Sequence, residues 1–401
     1  MDTISKFSSI QSIHTPAFIL YEEEVVRNIN GFKAALDSRF PQNIIGYSVK
    51  TNSLPYLLRI VKEHGCYAEV VSYHEYRLAL EAGFSAKRII YNGPLKSKDT
   101  FLDAIKDGAI VNIENWREID WLKDLPKDKE YSVGIRINVN ISAVSPEDES
   151  CPDDDSRFGF SYESGELKLA IDKIQQLGNV RLVGIHSHRE PKTRSVRFYT
   201  RVIEYVQNII VEYGLQLDYW DLGGGFFGMM PGKPTYQDYV DAIYHTLRPE
   251  LRNLCIIVEP GNAIVASGFD YVMEVIDVKE HDDKIYVCTD GTRNDVDPFF
   301  HKSVYFKEFL IKDQQRDTAD KVQVVSGLSC LEYDRIFSLP IGSKRLETGD
   351  RIIFHRVGAY TMTLSPLFIH CFPNVYLQKK GKYSLVRKEW SEKQLLENSI
   401  Y

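Results

Sequence analysis

Between residues 43 and 260, short apolar runs rich in Ile and Val alternate with segments whose apolar positions recur at helical spacing. Eight such runs stand out, at 43–50, 68–72, 88–93, 109–114, 132–139, 180–188, 218–224 and 254–259. Near-continuous apolar runs of this length are the mark of parallel strands buried on both faces. The intervening stretches, such as LPYLLRIVKEHG and YHEYRLALEAGF, carry one apolar face each, and Gly65 and Gly83 fall where those helices would stop. Eight strand–helix units predict an α/β fold, a closed (β/α)8 TIM-like barrel in preference to an open doubly wound sheet. From about residue 266 the texture changes. FDYVMEVIDVKE, DKIYVCTDG, KVQVVSG, DRIIFHRVGAY and NVYLQKKGKYSLVRK alternate in the period of strands and are separated by turn residues, which predicts a C-terminal β domain. AFILYEE, near the start of the chain, is a further strand and a candidate to join it. The expected division is a barrel over 24–265 and a β domain over 1–23 and 266–401.

Composition narrows the functional classes. The 401 residues suit one barrel of about 250 residues plus a smaller domain. A net charge of −7, without a basic tract interleaved with aromatics, argues against a nucleic-acid partner. No basic start followed by an apolar run suggests a leader, and no apolar stretch approaches the roughly 18 residues of a membrane span, so no membrane partner is expected. Cys66, Cys151, Cys255, Cys288, Cys330 and Cys371 are scattered without a CxxC pair, which argues against a zinc site and a disulfide framework. A reducing cytoplasm is the expected location.

A barrel enzyme gathers its chemistry at the C-terminal ends of its strands. Here those ends carry Lys50, Glu69 and Ser72, Arg136 and Asn138, His186 and His188, Gly223-Gly224-Gly225, and Glu259-Pro260-Gly261. Taken singly, each has a plain structural reading. A lysine caps a strand, a triple glycine makes a turn, a glutamate pairs with a cation, and a lone cysteine such as Cys330 packs as a small hydrophobe. His186 and His188, two apart, would share one strand face, but no third ligand is close in sequence, so no metal is expected.

Read in order, the segments YSVKTN, AEVVSYHE, NGPLKS, RINV, SRFGF, GIHSH, DLGGGF, EPG, CTDG, GLSCLEYD and GAYTM resemble the diaminopimelate, ornithine and arginine decarboxylase family, the fold-type III enzymes that depend on pyridoxal 5'-phosphate (PLP). The resemblance spans nearly the whole chain. It implies an alanine-racemase-like barrel followed by a β-sandwich or β-barrel domain, and a homodimer with shared active sites acting on a small amino-acid-like substrate. The implied reaction is loss of an α-carboxylate as CO2 through an external aldimine and a quinonoid. Lys50 matches the lysine that bonds the cofactor, His188 the ring stacked on it, and Glu259 the acid paired with its pyridine nitrogen. Gly223, Gly224 and Gly225, with Gly261, Asn262 and Tyr360, match the surroundings of its phosphate. Glu69 and Glu75 match acids near the lysine, and Arg136 a barrel cation. Cys330 matches the cysteine that reaches in from the other subunit to protonate Cα. Asp290, Glu332 and Asp334 match the neighbourhood that reads the substrate.

The chain also departs from the family pattern. His188-Arg189-Glu190-Pro191 replaces a Gly-Ser segment whose serine binds phosphate, and Asn262 stands where an arginine is usual. The phosphate site is therefore expected to be weaker or rearranged, with Arg189 the candidate substitute cation. Leu331 follows the cysteine where ornithine enzymes place an aspartate, and Asp297 replaces the arginine that diaminopimelate enzymes use. Neither substrate suits these changes, which points to a specialised biosynthetic pathway and a larger molecule bearing an amino-acid group. Two other readings share the fold. A racemase would set an arginine rather than Glu259 against the pyridine nitrogen. An inactive binding protein would not need Lys50, His188, Glu259, Cys330 and Tyr360 together.

Overall fold

The computed structural model describes residues 10–149, 156–397 and 399–400; Cys151 lies outside them. The chain divides into two compact units, one of residues 26–264 and the other of residues 1–25 and 265–401. The first strand, β1 (Ala17–Tyr21), belongs to the second unit. The larger unit is built on β2 (Asn43–Ser48), β3 (Tyr67–Ser72), β4 (Ile89–Leu95), β5 (Ile110–Ile113), β6 (Tyr131–Asn138), β7 (Phe160–Ser161), β8 (Val180–His186), β9 (Tyr219–Asp221) and β10 (Cys255–Val258). Eight of them close a parallel barrel in the order β2-β3-β4-β5-β6-β8-β9-β10, with β10 pairing back onto β2, while the two-residue β7 hangs on the end of β6.

The helices between the strands start and bury as their sequences dictate. Pro55 opens the helix Pro55–Glu63, which buries Leu57, Leu58, Ile60 and Val61. Ser72 and Ser195 cap the helices Tyr73–Glu81 and Val196–Glu212 by accepting from Glu75 N and Phe198 N. Inside the barrel, Ile90, Val183, Tyr219 and Ile257 form one buried cluster. The Tyr219 ring fits because β6 and β8 present glycine there. A Cβ on Gly184 would land on that ring, and one on Gly134 on the Tyr219 hydroxyl and Asn112 Oδ1.

Three strands stop two or three residues short of the sequence expectation, all where the chain leaves the ladder at the mouth. The first barrel strand, β2, stops at Ser48, and Lys50 sits on a 3-10 turn, Val49–Thr51, closed by Asn52 N donating to Val49 O at 3.1 Å. The sixth barrel strand stops at His186, so His188 lies beyond it rather than on a shared strand face. The strand before the glycines shortens to Tyr219–Asp221, because Gly223 turns the chain at φ 74°.

In the second unit the strands are β11 (Phe269–Glu280), β12 (Lys284–Thr289), β13 (Lys307–Leu310), β14 (Val322–Ser326), β15 (Arg335–Leu339), β16 (Arg351–His355), β17 (Asn374–Lys379) and β18 (Lys382–Arg387). They run β15-β14-β12-β11-β1-β17-β18, with β16 joining β11 to β13. β1 is antiparallel to β11 and parallel to β17, so the early AFILY segment is a central strand of this sheet. Among the described residues no helix is long and apolar enough to cross a membrane.

The tight seat of Tyr219 gives a stability prediction. Gly184→Ala forces the ring to move and lowers the free energy of unfolding by about 1–3 kcal/mol, read from urea denaturation. An unchanged midpoint would show that the barrel interior is loosely filled.

Candidate active site

The mouth of the barrel is organised around buried acids. Glu69, on β3, is 1 % exposed and draws three donors. Ser48 Oγ reaches its Oε2 at 2.6 Å, Lys50 Nζ reaches the same oxygen at 3.3 Å, and Asn92 Nδ2 reaches Oε1 at 3.2 Å. Lys50 is held from below by its own turn, in which Val49 and Thr51 are buried, and its side chain keeps 36 % exposure into the mouth. Glu259 follows β10 and is also buried. Its Oε1 accepts from Asn92 Nδ2 at 2.5 Å, and its Oε2 lies 3.6 Å from His186 Nε2.

Asp221, at the end of β9, completes the group. It is fully buried, and its Oδ1 accepts from Gly223 N at 3.0 Å. Burial and the neighbouring Glu259 charge hold its carboxyl well above the usual range, so Asp221 keeps its proton. Burial opposes the charge on Glu259 as well, but His186, a hydrogen bond from protonated Asp221, and Lys50 outweigh it and hold Glu259 well below the usual carboxylate value. The barrel thus carries one neutral and one ionised acid side by side.

His188 sits across the mouth. Gly224 N donates to its Nδ1 at 3.2 Å, which places the ring proton on Nε2. Burial, with Lys50 and Arg136 nearby, keeps its pKa well below the ordinary value, so the imidazole is neutral. Arg136 fixes the backbone here, donating from Nη2 to His188 O at 3.0 Å while Nη1 pairs with Glu114 at 3.1 Å. The glycine run packs directly behind. Cβ atoms on Gly223, Gly224 and Gly225 would strike the His188 ring, Glu259 O and the Pro191 ring, and one on Gly261 would strike Thr51. Gly225 holds φ 96°.

Lys50, Arg136, Arg157, His188, Arg189 and Glu259 line a cavity of about 610 Å³, a volume suited to a cofactor and a small substrate. Arg189 is buried in its wall, Asn262 opens the short helix Asn262–Val265, and Glu75 accepts from Val71 N at 2.8 Å. The remaining expected residues belong to the other unit. There Cys330 is exposed, and Glu332 is solvent-facing beside Arg335. Asp334 is buried and accepts from Thr292 Oγ1, Arg293 N and Ser329 N. Asp290 accepts from Glu274 N, and Tyr360 holds a left-handed backbone at φ 56°.

Sequence reasoning assigned no role to Asn92, Asn112, Asp221 or Tyr219. The available signal was a polar residue set inside an Ile/Val run, as in AIVNI. His186, Asp221 and Glu259 each bring a donor atom within 4.8 Å of the others. Asp221 joins this group from a strand end 35 positions from His186, which sequence proximity could not show.

A lysine amine facing a cavity, a neutral imidazole, an ionised acid and a close-packed glycine loop, all at one end of a parallel barrel, are the groups that a carbonyl cofactor held by an amine would require. These residues fit PLP: an amine for its aldehyde, an anion for its pyridine nitrogen, and a flat ring for its face. Residues 22–266 match the family described as pyridoxal-dependent decarboxylase, pyridoxal binding domain. Diaminopimelate decarboxylase of Staphylococcus aureus is 28 % identical, over 99 % of this chain and 96 % of that protein. The enzyme of the same name from Methanocaldococcus jannaschii is 25 % identical, over 96 % and 91 %. Among solved structures, diaminopimelate decarboxylase from M. jannaschii in complex with L-lysine superposes with a TM-score of 0.87 at 23 % identity, over 99 % of this chain and 94 % of that one. The Paramecium bursaria Chlorella virus arginine decarboxylase shares the fold at a TM-score of 0.75 and 19 % identity, over 94 % and 100 %. The chain belongs to the pyridoxal-dependent decarboxylases. It is a PLP-dependent carboxy-lyase acting on an amino-acid group.

Glu75 lies in the first turn of the helix Tyr73–Glu81, and burial pushes its pKa up from 4.5 to about 7. An acid with a raised folded-state pKa stabilises the fold fully below its unfolded value and loses that contribution as pH climbs through the folded one. Wild type should therefore lose unfolding free energy relative to Glu75→Gln as pH rises from 4.5 to 7. Parallel pH profiles for the two proteins would show that Glu75 titrates normally.

Proposed function

We propose that this carboxy-lyase takes an amino acid carrying a second, distal anionic group. Arg157 carries the proposal. Its guanidinium lies 4.6 Å from the centre of the Phe158 ring, which Arg136 also approaches at 4.7 Å. It lines the cavity and has no ion pair among the described residues, whereas Arg136 is committed to Glu114. An arginine braced on an aromatic ring, with no donor spent among the described residues, suits a substrate carboxylate or phosphate. Asp297 offers no alternative cation. It anchors its own loop, accepting from Arg293, Tyr305 and the backbone of His301 and Lys302. Diaminopimelate, the substrate in the names of the relatives, has such a distal carboxylate. A larger, specialised molecule with an amino-acid end is the second reading, favoured by Asp297.

In this reading Lys50 Nζ is the amine that would hold the cofactor through its aldehyde. Bound PLP supplies the sink for the electron pair left when the Cα–carboxylate bond breaks. Glu259, ionised, would hold a proton at the pyridine nitrogen. Neutral His188 would face the cofactor ring, and the backbone around Gly223, Gly224, Gly225, Gly261 and Asn262, with Arg189, would hold its phosphate. Cys330 of a second copy would deliver the proton to Cα. A homodimer accords with the exposed Cys330 thiol and with Phe299 and Tyr333, 61 % and 60 % exposed in the same unit. A reducing compartment such as the cytoplasm suits the five described cysteines, all of them free thiols.

Two experiments test these assignments. In CO2-release assays, meso-diaminopimelate or another amino acid with a distal anion should be turned over in preference to ornithine and arginine. Arg157→Ala should raise KM by about 10-fold or more with a smaller change in kcat. Efficient turnover of ornithine or arginine would remove the distal-anion reading. Separately, co-expressed Lys50→Ala and Cys330→Ala chains should regain activity that neither has alone, because a mixed dimer contains one intact site. Absence of complementation would place both residues in the same subunit's site.

A further inference from the structure

The acids Glu69 and Glu259 share one donor, and the orientation of that donor is set from deeper in the barrel. An ionised carboxylate only accepts, so Asn92 must turn its amide nitrogen toward both acids. It does so, at 3.2 Å to Glu69 and 2.5 Å to Glu259. Asn92 Oδ1 then points away and needs a donor, which Asn112 Nδ2 supplies at 2.8 Å. That in turn points Asn112 Oδ1 inward, where the Tyr219 hydroxyl donates to it at 2.8 Å. Asn92 and Asn112 are 1 % and 0 % exposed, so no solvent competes for these bonds. Burial, with Asp221 next to it, holds the Tyr219 hydroxyl well above the usual tyrosine pKa, so it keeps the proton it donates. Gly134 and Gly184 leave the space the ring and hydroxyl occupy.

We infer that Tyr219 is a positioning residue for catalysis, whose hydroxyl orients Asn112 and through it Asn92, aligning the acid beside Lys50 with the acid assigned to the pyridine nitrogen. A tyrosine serving only to fill the barrel would need its ring, and phenylalanine would fill the same space. The hydroxyl is the group that selects one orientation for each amide. Without it, Asn112 gains nothing by facing its oxygen inward. Asn92 then loses the constraint that presents both N–H bonds to the acids, and Glu259 loses alignment. The inference rests on the assignment of Lys50 and Glu259 to the cofactor.

The test is a double-mutant cycle on the full-length enzyme with Tyr219→Phe and Asn92→Ala, read by PLP titration of the apoprotein and by steady-state kinetics. Tyr219→Phe should weaken PLP binding by about 3–10-fold and lower kcat by a similar factor, with KM for the amino acid little changed. In the Asn92→Ala background the same change should have almost no further effect, because the pathway it acts through is gone. Unchanged PLP affinity and kcat in Tyr219→Phe, whatever its melting temperature, would overturn the inference. So would an effect that persists at full size in the Asn92→Ala background. If Asn92→Ala itself left PLP affinity untouched, the cofactor assignment of Glu259 would fail instead. Should Tyr219→Phe not accumulate as folded protein, Asn112→Leu removes the middle link at nearly constant shape. It should show the same loss and the same disappearance beside Asn92→Ala.

Discussion

The structure of the mouth turns on the burial of two carboxylates, Glu69 and Glu259, tied together by one amide. Isolated buried anions cost several kcal/mol each, and an acid without partners takes up a proton instead. Glu69 is met by Ser48, Lys50 and Asn92. Glu259 escapes protonation through Asn92, His186 and the proton that Asp221 retains. The result is a fixed negative charge deep in a barrel with a lysine amine beside it. An acid that had taken up a proton could not balance a positive charge on a heteroaromatic nitrogen.

A parallel barrel makes this arrangement possible because strands distant in sequence deliver their ends to one rim. Asn92 and Glu259 are separated by 167 positions and meet at hydrogen-bond distance. The close approach depends on residues that add no bulk. The loop 223–225 lies flat against His188, Glu259 and Pro191, and any side chain there would push the site apart. One N–H of that loop, from Gly224, is already given to His188. The loop therefore both fixes the imidazole tautomer and closes the mouth. The exchange of Gly-Ser for Arg189-Glu190-Pro191 fits the same crowding, since the Pro191 ring fills the face that Gly225 leaves open.

The barrel was legible in the sequence because strands buried on both faces must be apolar throughout, and all eight runs became strands. The β unit was less legible. β13, KEFL, and β15, RIFSL, are short and largely half-exposed, so their alternation does not stand out from loop sequence. Lys50, His188 and Glu259 were legible by the rule that barrel chemistry sits at strand ends, although all three lie one or two residues beyond the ladder. Asn92, Asn112, Asp221 and Tyr219 were not. Each looks locally like an ordinary strand residue, and its meaning comes from cross-strand partners that no periodicity specifies.

The charges of the mouth also form an order. Glu259 lies buried at the base, while Lys50 and the Arg136–Glu114 pair stand on the wall. His188 stays neutral because it is buried, and because Lys50 and Arg136 both disfavour a third cation among them. An imidazolium there would repel the amine of an incoming amino acid, whereas a neutral ring contributes surface without charge. Arg136 therefore acts twice through one guanidinium. It pins the His188 carbonyl in place and keeps the ring uncharged, and its own cost of burial is offset by Glu114. Glu114 in turn gives its backbone N–H to Glu118, whose carboxylate pairs with the fully buried Lys96, and Lys96 holds Gly93 O beside Asn92. The wall that shapes the cavity and the amide that joins its two acids are thus braced by the same line of buried ion pairs, so geometry at the site is inherited from the scaffold rather than from mobile surface loops.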